Sequence, residues 1–185
     1  MQTQKSRLAG VTLVELMIVV SIGAVLTTMA LPSFSKLLQA SASRASRSAL
    51  SVSINQARIG AAMRGQQVIV CPSSNQTDCT DDSRWQHGWI AFIDSNRDNE
   101  HDSDEEIIGV AQAQKSGIAI LSSSSRQRIR YQADGSASGT NLTLTVCDRR
   151  GPPAARTLVV SNSGRLRSGT PSAAQASAAC AAIDS

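Results

Sequence analysis

The sequence predicts an α+β protein: one long N-terminal helix packed on a domain of mostly antiparallel β-sheet. Three observations carry this. The chain opens on an apolar run, Val11–Leu31, whose only charged residue is Glu15. Beyond Pro32 the apolar positions keep a helical spacing up to Arg64-Gly65. After Gly65 the period changes to two, and short apolar stretches alternate with Gly, Ser, Asn and Asp.

The apolar run of 21 residues would span roughly 30 Å as a helix, the hydrocarbon thickness of a bilayer. Lys5 and Arg7 precede it and favour a cytoplasmic N-terminus. A carboxylate inside such a span is costly, which marks Glu15 as a functional residue. A cleaved signal peptide with a Thr28-Met29-Ala30 site is one alternative, and Glu15 at the head of the apolar region argues against it. A plain anchor is the other, and it gives Glu15 no partner.

Leu50, Ile54, Ala57 and Ala61 recur at i, i+4, i+7 and i+11, opposite Arg47, Ser51 and Arg58. Arg64-Gly65 supplies a basic last turn and a glycine stop. A helix from Val11 to Arg64 would be about 80 Å long, its first part (11–31) in a membrane or fibre core and its second (32–64) on the domain. Residues 65–185 form that domain, large enough for one core. Seven strands are predicted: Gln67–Cys71, Trp89–Asp94, Ile107–Ala111, Ile118–Leu121, Arg128–Gln132, Leu142–Cys147 and Thr157–Ser161. Ser136–Thr140 reads as a linker, and 168–182, rich in Ala and Ser, as a low-complexity, mobile tail.

Charge is polarised. Residues 78–106 hold ten acids and two Arg, whereas 115–185 hold nine basic residues and three acids. A basic end can attract polyanions. The four cysteines lie beyond the apolar run and should be oxidised in an exported domain. Of the three pairings, Cys71 with Cys79 suits a local clip, which leaves Cys147 with Cys180 to tether the tail. A zinc site is disfavoured, because no Cys-x-x-Cys or His pair is present.

The stretch Gly10-Val11-Thr12-Leu13-Val14-Glu15-Leu16 resembles the N-terminus of type IV prepilins and type II secretion pseudopilins. The resemblance implies that residues 1–10 are a leader, that a prepilin peptidase cuts between Gly10 and Val11, and that Val11 is N-methylated. It implies that Glu15 pairs with the N-terminal amine of a neighbouring pilin in the fibre, and that the helix kinks at Pro32. Paired opposite charges in a low-dielectric bundle fix register and are penalised when unpaired. Val11 departs from the commoner Phe or Met. The segment Trp85-Gln86-His87-Gly88-Trp89 through Phe92-Ile93-Asp94-Ser95-Asn96-Arg97-Asp98 resembles the hairpin of GspH/FimT-type minor pilins and pseudopilins. Such a protein would sit in the inner membrane of a Gram-negative bacterium as a single-pass prepilin, then enter a pilus exposed to periplasm and exterior.

Asp94, Asn96, Asp98 and Glu105 match the ligand spacing of a calcium loop. Asn99 in place of Gly and His101 at the eighth position depart from it, and an Asx-rich loop capping its own backbone is the simpler reading. The surplus acids there could instead form a protein-contact patch. No catalytic set emerges from His87 and His101, so no enzyme and no cofactor is expected. The stretch Val159–Gly169 places Arg165 and Arg167 at i, i+2 beside Gly164. It resembles the C-terminal G-R-x-R motif of FimT-type minor pilins, which bind DNA during natural transformation. By that match Arg165 and Arg167 hold phosphates of double-stranded DNA and Gly164 shapes the loop; arginine forks suit phosphate oxygens. Arg149, Arg150, Arg126, Arg128 and Arg130 extend the basic surface if they share its face. The other readings are a structural minor pilin that primes assembly without a ligand, and a type II secretion pseudopilin.

Overall fold

Helix α1 runs from Leu13 to Arg64 in the computed structural model, which describes residues 10, 12–123 and 125–183, with only the backbone at 29, 30 and 32. The expected leader up to Ala9 and the expected methylation site Val11 lie outside the described residues. Thr12 opens the helix, its Oγ1 accepting the Glu15 N–H at 3.3 Å. Glu15 therefore sits in the first turn, where the helix dipole favours an acid. Thr27 and Thr28 return their hydroxyls to the carbonyls of Gly23 and Val25, so this stretch presents almost no unsatisfied polar atom. Its mean hydropathy is 2.1 over an 18-residue window, none of which is buried within the chain. Leu13, Val14, Leu16, Met17, Ile18, Val19 and Val20 are all exposed, a surface stable only in lipid or against other apolar helices.

The chain divides into two compact units at Leu38/Gln39. In the second, Leu50, Ile54, Ala57 and Ala61 of α1 are fully buried, as the helical spacing predicts. They lie in one core with Trp85, Trp89, Tyr131, Leu144, Val146, Leu158 and Val160. That core is closed by two four-stranded antiparallel sheets. The first has the order β3-β2-β1-β5, from β1 (Gln67–Pro72), β2 (Trp89–Asp94), β3 (Ile107–Ala111) and β5 (Ile129–Tyr131). The second has the order β4-β6-β7-β8, from β4 (Ile118–Leu121), β6 (Leu142–Asp148), β7 (Arg156–Val160) and β8 (Leu166–Gly169). In β6 and β7 the inward residues Leu142, Leu144, Val146, Leu158 and Val160 are almost completely buried, the alternation expected when one face packs on the core. Gly88, with φ +118°, lets the chain pass between Ser73 and Ala111; a Cβ there would stand 2.6 Å from the Ala111 oxygen.

Two readings of the C-terminal region are corrected. The described residues hold eight strands, not seven, and 168–182 is not an unstructured tail but strand and helix. Leu166–Gly169 pairs with β7, and Ala173–Ala181 forms helix α2. Alanine is the best helix former, and Ser172 with Gln175 makes a capping box. The small faces of Ala176 and Ala179 pack with Cys147 and Ala155, and the Cys147–Cys180 disulfide binds α2 to β6. The second disulfide, Cys71–Cys79, closes the loop after β1.

Ile54 is completely buried in the shared core. Ile54→Ala should cost about 2–5 kcal/mol, read as a lower urea midpoint for the full chain in neutral detergent.

Candidate nucleic-acid interface

The turn that joins β7 to β8 is held from three sides. Within it, the Gly164 N–H donates to the Ser161 carbonyl at 2.8 Å and the Ser161 N–H donates to the Arg165 carbonyl at 2.9 Å. Gly164 has φ +75°, and a Cβ there would fall 2.1 Å from the Gly135 carbonyl oxygen. From α1, Arg58 reaches across: its Nε donates to the Gly135 carbonyl at 2.9 Å and its guanidinium to the Ser163 carbonyl at 3.3 Å. One arginine thus pins two turns that lie far apart in sequence. Below them, burial pushes the Tyr131 hydroxyl up to about 12, only partly offset by the nearby Arg58 charge.

The pairing sets the direction of the side chains. Leu166 is opposite Val160 and Arg167 opposite Val159. Leu166 packs on the core, so Arg165 and Arg167 point to the other face, and both are exposed. Among the described residues neither is in an ion pair. Arg167 lies in β8 and Arg165 directly precedes it, and β8 is an edge of its sheet. Arg126 stands at the same end: it donates to the Asn141 carbonyl at 3.0 Å, and the next residue, Leu142, pairs with Val160. Two unpaired guanidiniums on a braced hairpin, with a third nearby, can engage phosphate oxygens at little ordering cost.

The other arginines do not join them. Arg128 is paired with Asp81 at 2.8 Å and also donates to the Asn99 carbonyl. Arg130 donates to the Asn99 side chain at 2.9 Å. Both belong to the β5 side of the first sheet and are occupied by the acidic loop. Arg150 forks onto Asp148, with both contacts at 2.8 Å. Burial raises the Asp148 carboxyl, but hydrogen bonds from Arg150 and Ser43 outweigh it and hold the group below the usual carboxylate range. Asp148 ends β6, at the opposite end from Leu142, so Arg149 and Arg150 lie far from the hairpin turn.

The calcium-type loop is also spent internally. Asp94 accepts from Gln67 at 2.6 Å and from the Asn99 N–H at 3.2 Å. Asn96 and Asp98 cap the N–H groups of Asp98 and Glu100. Glu105 accepts from the N–H groups of Ser95 and Asp102. Among the described residues no group of three or more His, Cys, Asp and Glu is placed to hold a metal ion. Sequence reasoning missed Arg58, whose targets are 77 and 105 residues away. It missed β8 as well, although Asn162-Ser163-Gly164 between apolar residues is a hairpin signal.

Residues 47–164 match the family model of the type II transport protein GspH. The chain belongs to the GspH family. Residues 5–31 match the prokaryotic N-terminal methylation motif, so this GspH-family chain carries the processing signal of pilins and pseudopilins. No curated protein sequence matches it. Its fold is that of a crystal structure of the type IV minor pilin FimU of Pseudomonas aeruginosa, at 14% identity, 79% coverage of this chain, 97% of that one and TM-score 0.55. A second crystal form of the same protein aligns at 15% identity, 76% and 98% coverage and TM-score 0.49. The long helix and β-rich domain are those of a structural pilin or pseudopilin rather than an enzyme, and the family implies contact with other pilins.

Two outcomes follow from the braced turn. Gly164→Ala should lose at least about 2 kcal/mol of stability, through overpacking and a strained backbone; a thermal melt of the full chain measures it. Tyr131 is the only tyrosine. Its raised value means that its contribution is complete below the ordinary 10.0 and disappears as pH rises through about 12. The near-ultraviolet phenolate signal should therefore appear near 12 in the folded chain and near 10.0 in urea.

Proposed function

We propose that this GspH-family protein is a minor type IV pilin of the FimT type that captures double-stranded DNA for uptake in natural transformation. Arg165 and Arg167 grip the phosphates and Gly164 with Arg58 fixes their presentation. The observation that supports this most is the pair itself: two exposed guanidiniums on one face of an edge strand, with no carboxylate partner among the described residues. Contacts of this kind are made to phosphate, so binding is sequence-independent and falls with salt. In the same reading a prepilin peptidase cuts between Gly10 and Val11, and Val11 becomes the methylated N-terminus. Glu15 meets the amine of a neighbouring pilin. The precursor waits as a single-pass protein of the inner membrane, and the assembled subunit is exposed outside it.

A second reading has one observation in its favour: the matching family model is described as a type II transport protein. The chain would then be a pseudopilin or a priming minor pilin that contacts partners through its acidic loop, without DNA.

Fluorescence anisotropy of a short labelled duplex with the full chain in neutral detergent separates the two. The first reading requires binding at low salt that weakens with added salt and is reduced by at least about tenfold in Arg165→Gln/Arg167→Gln. Unchanged affinity in that double variant removes the assigned site.

A further inference from the structure

Four strands stand at the edges of the two sheets, β3 and β5 in the first and β4 and β8 in the second. An edge offers its unpaired backbone groups to another chain unless it is capped or charged. Three of the four are closed in this way. The outer side of β4 is taken by residues 83–86: the Trp85 N–H donates to the Ile120 carbonyl at 2.8 Å, the Ser122 N–H to the Ser83 carbonyl at 2.9 Å, and the Ile120 N–H to the Gln86 side chain at 3.2 Å. On β5 the Arg130 N–H donates to the Thr140 Oγ1 at 3.1 Å, and the same hydroxyl is 3.1 Å from the Arg130 carbonyl oxygen. β8 carries Arg167. β3 has neither device. It holds no charged residue, it pairs with β2 alone, and among the described residues its backbone makes no hydrogen bond on the other side.

Beside that edge lies a groove of about 470 Å³ between α1 and the strands β2 and β3. Small residues open it: Ala57 and Gly60 from the helix, Ala91 and Gly109 from the sheet. A Cβ at Gly60 would stand 3.1 Å from the Ile108 Cδ1, so a longer side chain there would fill the space. Trp89 also lines the groove; it is 1% exposed, and its indole N–H has no acceptor among the described residues, a buried donor whose partner is missing. On the rim Ile59 and Met63 are 56% and 81% exposed, apolar surface that an occupant would take from water.

An open strand edge beside a helix-walled groove is the arrangement by which an extended peptide joins a sheet. Its backbone pairs along the edge, and its alternate side chains enter the groove. Charge sets which end goes where. Asp102, Asp104 and Glu106 precede β3 and are exposed, with Glu106 held by Arg64 at 3.0 Å, whereas Lys115 follows β3 and is exposed as well. We propose that the β3 edge and the α1 groove bind an extended segment of a partner protein, apolar at alternate positions and basic at the end that lies beside Asp102 and Asp104. This surface belongs to the first sheet and the hairpin of Arg165 and Arg167 to the second, so the proposal stands apart from the DNA-capture reading.

The test is a fluorescence-anisotropy titration of the full chain in neutral detergent with a short labelled peptide of alternating valine and threonine that carries two lysines at one end. The wild-type chain should bind it. Gly60→Leu fills the groove and replaces glycine with a good helix former, so it should keep the wild-type melting temperature yet bind at least about tenfold more weakly, as expulsion of one apolar side chain requires. The same peptide N-methylated along its length keeps its side chains but cannot pair with an edge, and it should not bind. A peptide with glutamates in place of the lysines should bind several-fold more weakly, and Asp102→Asn/Asp104→Asn should erase that preference. No binding of the valine–threonine peptide to the wild-type chain, or unchanged affinity in Gly60→Leu, overturns the site. Full binding of the N-methylated peptide overturns strand addition, and equal binding of the glutamate peptide overturns the basic end assigned to the partner.

Discussion

The rest of the domain depends on burial of one stripe of α1. Leu50, Ile54, Ala57 and Ala61 are the part of the helix that enters the core shared by the two sheets. Each sheet turns an apolar face to that core, and neither four-stranded layer can close it alone. The stripe runs from large to small residues, Leu50 and Ile54 in its first half and Ala57 and Ala61 in its second. Backbone and sheets approach closely at the Ala end, where Arg58 spans to the two turns and Arg64 to Glu106. The setting of the β7–β8 turn is therefore a consequence of helix docking: without the buried stripe, Arg58 has no fixed position, and the turn at Gly164 loses its brace.

The same docking explains why the basic residues are not equivalent. Composition gives a basic C-terminal region, but folding sorts it into different chemical situations. Arg128 and Arg130 are consumed by the acidic loop, and Arg150 by a buried carboxylate. Among the described residues, Arg165 and Arg167 stand on an open edge without such partners. Charges of this kind on an edge strand also discourage strand-to-strand aggregation. The two disulfides have separate duties. Cys147–Cys180 fixes α2 over β6, and the hairpin that precedes α2 is held by Arg58 instead.

The long helix carries two environments on one continuous element. Among the described residues up to Leu38 the exposed side chains are mostly apolar, a surface suited to lipid or to other apolar helices. From Gln39 onward one stripe is spent on the domain. Nothing in the backbone pattern marks that change. It is made by side chains alone: a uniform apolar run gives way to a stripe with polar residues between.

The sequence by itself determined the element types and the family. The apolar run with Glu15, the i, i+4 stripe and the strand periods are local patterns, and local patterns survive without knowledge of tertiary contacts. The strands from β1 to β7 were legible for that reason, and so was the pairing of close cysteines. The weak points were also physical. An Ala- and Ser-rich segment has no apolar contrast, so residues 168–182 read as a mobile tail, although Ala propensity and the Ser172–Gln175 cap favour the helix Ala173–Ala181. β8 is four residues, one of them an arginine and only one of them large and apolar, a composition too short and polar to stand out as a strand. Which arginines remain unpaired among the described residues, which turns Arg58 holds, and which guanidinium grips Asp148 were decided only by the tertiary structure. Each depends on groups tens of residues apart brought within hydrogen-bond reach, and no spacing in the chain encodes that distance.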